Sequence, residues 1–127
     1  MKRCFYIESQ GVNIFYIDFS GLQTENEIIE VLVESKMEIR SHPMKSMINL
    51  ANIEGMHFNS SIKDLFFEFV KGNANYVQHS AVVGVDGIRR IVFNGLMKLS
   101  GRDVRCFDSV EDGKKWLVER KIEKCLV

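Results

Sequence analysis

Asn59-Ser60-Ser61 places three small polar side chains where the chain leaves an apolar segment ending at Leu50 and enters a periodic one running from Ile62 to Val70. Two chemistries suit such a joint. A Ser or Asn oxygen at a helix start accepts from a free backbone N–H, an interaction worth ~1 kcal/mol, and Ser61 stands three residues before Asp64. The same free N–H groups and the positive end of the helix dipole favour an added phosphate of about −2 charge. Ser60 and Ser61 are therefore candidate phosphoacceptors, and contact of Asn59, Ser60 or Ser61 with a ligand is a third use. A second joint, Gly84-Val85-Asp86-Gly87, reads as a tight turn with Asp86 as helix cap. It is neither a GxGxxG fingerprint nor a phosphate loop, which needs Gly-Lys-Ser/Thr. Arg89 and Arg90 follow it and read as solvated cations on a first helical turn.

Other reactive side chains are scattered. His42, His57 and His79 each fall near an expected element boundary and read as surface or turn residues. None has a partnered nucleophile or carboxylate in sequence, which acid–base catalysis requires. Cys4, Cys106 and Cys125 are odd in number, widely spaced and without CxxC. They read as reduced thiols, Cys106 as a strand thiol, with no metal-ligand spacing. These patterns give no catalytic residues, no metal set and no cofactor, and lead to the expectation of a non-enzyme.

The bulk composition agrees. The chain has 127 residues, 46% hydrophobic and 27% charged, as in a globular domain. Seventeen basic and seventeen acidic residues give a formal charge of zero, which lacks the electrostatic footprint of a nucleic-acid binder. No apolar run approaches the ~20 residues that span a bilayer, and Glu8, Ser9 and Gln10 cut the apolar stretch after the basic start. A cytoplasmic protein without a signal peptide is expected.

The elements that must position these residues are read from period. Cys4–Glu8 and Val12–Phe19 read as two strands joined by a Gln10-Gly11 turn, hence an antiparallel hairpin. Thr24 with Glu27 is a capping box. From there to Arg40, Ile28, Ile29, Leu32, Val33 and Met37 recur at helical spacing, and His42-Pro43 ends the helix. Lys45–Leu50 reads as a strand. The helix from Ser60 or Ser61 carries Ile62, Leu65, Phe66, Phe69 and Val70 and ends near Gly72-Asn73, with a further turn through Tyr76 open to it. Ser80–Val85, apolar throughout, is the pattern of a strand buried on both faces. Gly87 to Ser100 reads as a helix with Ile88, Ile91, Val92, Leu96 and Leu99 inward. Val104–Phe107 is a strand, and Asp108 and Ser109 cap a last helix with Trp116, Leu117 and Ile122 on its apolar face. The order β-β-α-β-α-β-α-β-α predicts a single α/β domain with a mixed, mainly parallel sheet, the first strand antiparallel, unevenly covered by helices.

The stretch from Ala81 to Leu117 resembles the SpoIIAA-like proteins of the STAS type. The resemblance rests on Val82-Val83-Gly84-Val85, Gly87, Ser100-Gly101-Arg102, Phe107-Asp108, Glu111-Asp112 and Trp116-Leu117 in that order and spacing. With the element order it covers roughly residues 4 to 122. It implies a non-catalytic regulatory module. The anti-sigma factor antagonists of this type carry Asp-Ser-Ser-Gly at the helix after the third strand, with one serine phosphorylated by a partner kinase. Asn59-Ser60-Ser61-Ile62 stands at that place, with Asn and Ile where the family has Asp and Gly. The wider fold, related in shape to CRAL-TRIO domains, is also associated with apolar or lipid ligands.

The reading is therefore an interaction module working through Glu54 to Asp64 and the neighbouring Asp86 to Arg90 joint, with Glu54, Asp64, Asp86, Gly87 and Arg89 at one edge of the sheet and a protein as partner. Both joints come after parallel strands, and open α/β sheets place their sites there. The alternative is an apolar-ligand or lipid carrier with a cavity lined by Phe66, Phe67 and Leu96. Phe58, Phe66, Phe67, Phe69 and Met56 exceed what one apolar stripe needs. A subunit interface, making the chain a homodimer, is another use for the surplus.

Overall fold

A computed structural model describes residues 3–100 and 104–126, with the backbone alone for residues 88, 92, 96, 97, 99, 100 and 124–126. The elements are β1 (Cys4–Ser9), β2 (Val12–Asp18), α1 (Glu25–Arg40), β3 (Met47–Asn52), α2 (Ser60–Gly72), β4 (Val77–Val83), α3 (Gly87–Ser100), β5 (Val104–Phe107) and α4 (Val110–Leu126). The five strands form one sheet in chain order. β1 is antiparallel to β2, and every other neighbouring pair is parallel. The hairpin turns on Gln10 and Gly11, both at positive φ, as a two-residue loop matched to the strand twist requires. Among the described residues no helix is long and apolar enough to cross a membrane.

Three crossovers step across the sheet in the same direction. Right-handed connections then put all three crossover helices on one face, and the core divides accordingly. Ile28, Leu32 and Ile39 of α1, Ile62, Phe66 and Val70 of α2, and Phe93 of α3 pack with Phe15, Ile17 and Val82 of the strands. On the other face α4 alone packs Leu117 and Val118 against Ile14, Ile48, Leu50, Ala81 and Val83. Gly113 permits that seating, because a Cβ there would lie 3.2 Å from Leu50 Cδ1.

The local signals that held are chemical ones. The Thr24 and Glu27 capping box forms on both sides, with each backbone N–H bonded to the other residue's side chain at 3.2 Å. Ser109 caps α4 by accepting from the Asp112 N–H. Boundaries moved. β3 runs Met47–Asn52 rather than Lys45–Leu50, and β4 runs Val77–Val83 rather than Ser80–Val85. Tyr76 leads into β4 instead of extending α2. On α1 the buried residues are Ile28, Val31, Leu32, Ser35 and Ile39, while Val33 and Met37 are 51% and 71% exposed. The period was helical, but the stripe sits one position round from the expected one. Phe93 carries the buried face of α3 and Ile91 is exposed; on α4, Val118 is buried and Ile122 exposed. His79 lies inside β4, buried edge-on to Trp116, a correction to its reading as a surface residue.

Phe66 is the aromatic centre, edge-on to Phe19 at 5.0 Å and to Phe93 at 6.2 Å. Phe66→Ala is expected to cost about 3–5 kcal/mol, measured by urea denaturation. Capping supplies a pH test. Hydrogen bonds from Thr24 hold the Glu27 carboxyl below the ordinary range. A depressed folded-state value adds stability that is complete above the unfolded value and lost as pH falls through the folded one. Thr24→Ala should therefore destabilise at neutral pH, and its gap from the parent should narrow in acid; equal gaps at pH 7 and in acid would refute this.

Candidate functional site

The C-terminal ends of β2, β3 and β4 lie side by side, and the loops leaving them are tied to one another. The β3–β4 ladder continues past both strands, with Ile53 N–H donating to Val83 O at 2.9 Å. Gly21 N–H donates to Glu54 O, and His57 N–H to Leu22 O, at 2.9 and 2.8 Å. Gln23 Nε2 donates to Gly55 O at 2.9 Å. At the end of β3, Asn52 splices two strands: its Nδ2 donates to the Tyr16 hydroxyl and its Oδ1 accepts from Glu54 N–H.

The loop after β4 is pressed into the loop after β3. Gly84 has φ +88°, and a Cβ there would lie 2.5 Å from Glu54 N. Only glycine fits on both counts. From the start of α3, Arg89 reaches back, donating from Nη1 to Met56 O at 2.9 Å and lying over the Phe58 ring. Asp86 caps α3 by accepting from Arg89 N–H at 3.2 Å.

These ties leave an open polar hollow of about 520 Å³ lined by Gln23, Glu54, Gly55, Met56, His57, Gly84, Val85, Asp86 and Arg89. Glu54, Asp86 and Arg89 of the expected edge are brought together, and Gly87 starts the adjoining helix. Asp64 is not in the hollow; it sits a turn into α2 beside Lys63. Met56 and His57 fall within the expected stretch from Glu54 to Asp64, and Gln23 lies outside it. The signal for Gln23 was available, since every loop after a parallel strand reaches this edge, the one after β2 included. The carboxylate of Glu54 forms no ion pair among the described residues, while Asp86 has Arg89 at 3.8 Å.

Asn59-Ser60-Ser61 stands beside the hollow and behaves differently from the simplest capping scheme. Asn59, not a serine, is the cap, its Oδ1 accepting from Ile62 N–H at 2.9 Å. Ser61 donates to Glu25 Oε1 on α1 at 2.8 Å rather than entering a box with Asp64. Ser60 is exposed at the first helical position.

The aromatic site has a different outcome. Phe66 is core, and the cavity beside it, lined also by Phe69, Phe93 and Asn49, holds only about 30 Å³, room for a water or two rather than an acyl chain. Phe67 is half-buried with Lys71 Nζ over its ring. The Leu96 side chain lies outside the described residues. Among the described residues no group of three His, Cys, Asp or Glu side chains is placed to hold a metal ion. Burial pushes the Cys106 thiol above its usual range, with Arg90 partly opposing.

The interlock gives a paired prediction. Gly84→Ala should cost more than ~3 kcal/mol, combining positive-φ strain with backbone overlap. Gly21→Ala, also at positive φ but with open space around its Cβ, should cost only ~1–2 kcal/mol. Equal effects in thermal unfolding would show that the contact with Glu54 does not hold the edge.

No family model matches the chain, and no curated protein does. A solved structure does: an uncharacterized protein from the DUF3478 family with a SpoIIAA-like fold, from Shewanella loihica PV-4. It superposes with a TM-score of 0.60 at 16% identity, over 90% of this chain and 91% of that one. At this identity the likeness is one of fold, and it meets the expectation raised by the Ala81 to Leu117 pattern: the chain folds as a SpoIIAA-like domain.

Proposed function

We propose that this chain is a non-catalytic regulatory module that binds a protein partner through the hollow at the C-terminal edge of its sheet. The observation that carries the reading is the rigid framing of that hollow by three interlocked loops, with Glu54 and Asp86 displayed outward. Pre-formed walls lower the ordering cost of association. The charge balance of the lining, two carboxylates against Arg89, suits a partner that presents a basic side chain. Arg89 is itself held by Met56 O and Asp86, so Glu54 is the freer acceptor.

A serine switch fits the same reading at Ser60 better than at Ser61. A phosphate on Ser61 would face the Glu25 carboxylate that now accepts its hydrogen bond, and like charges oppose it. Ser60 is exposed, next to the hollow and at the positive end of α2.

The test is affinity purification from the native cell with parent, Glu54→Lys/Asp86→Lys and, as a distant control, Met37→Lys. A specific partner should be retained by parent and control and fall by on the order of tenfold or more with the double variant, since truncating interfacial charge pairs costs ~2 kcal/mol or more. Equal recovery by all three would overturn the assignment of the hollow.

A further inference from the structure

Asn49 stands on the middle strand of the sheet, on its crowded face. It lies opposite Phe15 of β2 and Ser80 of β4. Its neighbours two residues away on β3, Met47 and Ala51, both belong with the larger core cluster. Alternation along β4 puts Ser80 on the same face, two residues before the core residue Val82. Phe66, Phe69 and Val70 of α2 and Phe93 of α3 close over both, around the cavity of about 30 Å³.

An apolar side chain is the ordinary occupant of such a place. Asn49 is only 5% exposed, and its Oδ1 is buried without a hydrogen-bond partner among the described residues. Turning the amide over would not help, because it would strand the NH₂ group in the same place. Asn52, at the end of the same strand, has both ends of its amide bonded. The orphan is thus particular to position 49. A buried polar group without a protein partner, facing a cavity of molecular size, is the setting of an internal water. A water takes roughly 30 Å³ in the liquid, and cavities with a polar wall hold water where purely apolar ones stay dry.

We propose that this cavity binds one water, which donates to Asn49 Oδ1 and to the Ser80 hydroxyl oxygen and so ties β3 to β4 beneath α2. Ser80 already has an interaction of its own. A hydroxyl carries two acceptor lone pairs besides its donor, which leaves capacity for the water. Neighbouring strands lie about 4.8 Å apart, a span that one water bridges with two bonds of about 2.8 Å. The water satisfies the acceptor that the aromatic core cannot. Phe69 also lines the groove between α1 and α2, so its ring is the wall past which the water exchanges with solvent. The site lies within the core and does not rest on the function proposed for the hollow.

The test is a crystal structure of the parent beside one of Asn49→Val. The parent should show water density about 2.5–3.0 Å from Asn49 Oδ1, and the variant should lose it. In solution, rotating-frame spectra of the parent should carry water cross-peaks to the ring protons of Phe66 and Phe93, which do not exchange, and the variant should lose these too. If Asn49→Val does not fold, Asn49→Leu, nearer in shape, is read in the same way. A dry cavity in the parent, or a water that keeps its place in the folded variant, overturns the proposal.

Discussion

The close approach of Gly84 to Glu54 is the constraint on which the functional edge depends. Parallel strands need only their ladders to pair, and those end near Asn52 and Val83. Beyond these residues the chain is loop, and loop geometry ordinarily drifts. Here Ile53 N–H extends the ladder by a step to Val83 O, and Gly84 turns at positive φ with its backbone against that of Glu54. A side chain at Gly84 would separate the loops, and the Arg89 bond to Met56 O would have to stretch across the gap. The polar lining of the hollow is thus set by a backbone contact that no polar residue makes.

The same economy appears in the layers. Stepping the crossovers in one direction loads α1, α2 and α3 onto one face and leaves α4 to cover the other. The crowded face explains the run of aromatic residues in α2: Phe66 fills the junction of Phe19 and Phe93, and Phe58 packs on Phe93 below the Arg89 guanidinium. The sparsely covered face explains why Phe5 and Tyr16 stack in partial exposure beyond the reach of α4. Uneven coverage is a consequence of topology rather than a shortage of apolar residues.

Much of this was legible in the sequence, and the failures have physical causes. Element order came from period and punctuation, because Thr24 with Glu27, Gln10-Gly11, Asp86-Gly87 and Ser109 are chemical signals that act locally. The buried stripe of α1 was misplaced at Val33 and Met37 because a helix rich in both apolar and charged residues permits two neighbouring faces, and packing against β2 and α2 chooses between them. His79 looked like a boundary residue because β4 starts at Val77, earlier than its β-branched run suggested. The hollow was half legible: Glu54, Asp86 and Arg89 are given by the rule that sites lie beyond the carboxyl ends of parallel strands. Gln23 went unread although the same rule brings the loop after β2 to this edge, and its exact seat is set by the bond of its amide to Gly55 O.

The electrostatics of the α2 start show how two helices share one charge. α1 carries Glu25 and Glu27 in its first turn and α4 carries Glu111 and Asp112, as the dipole favours. α2 carries no acid in its first turn and is capped by neutral Asn59. Its missing negative charge comes from Glu25 of α1 through the Ser61 hydroxyl. Glu25 therefore serves the N-termini of both helices and couples their orientation at the rim of the hollow. An anion added on Ser61 enters a place where Glu25 already stands and must displace that carboxylate, whereas Ser60 is exposed. An acid at the cap would satisfy α2 by itself and leave Glu25 to α1, whereas the neutral Asn59 makes the contact between α1 and α2 part of the cap.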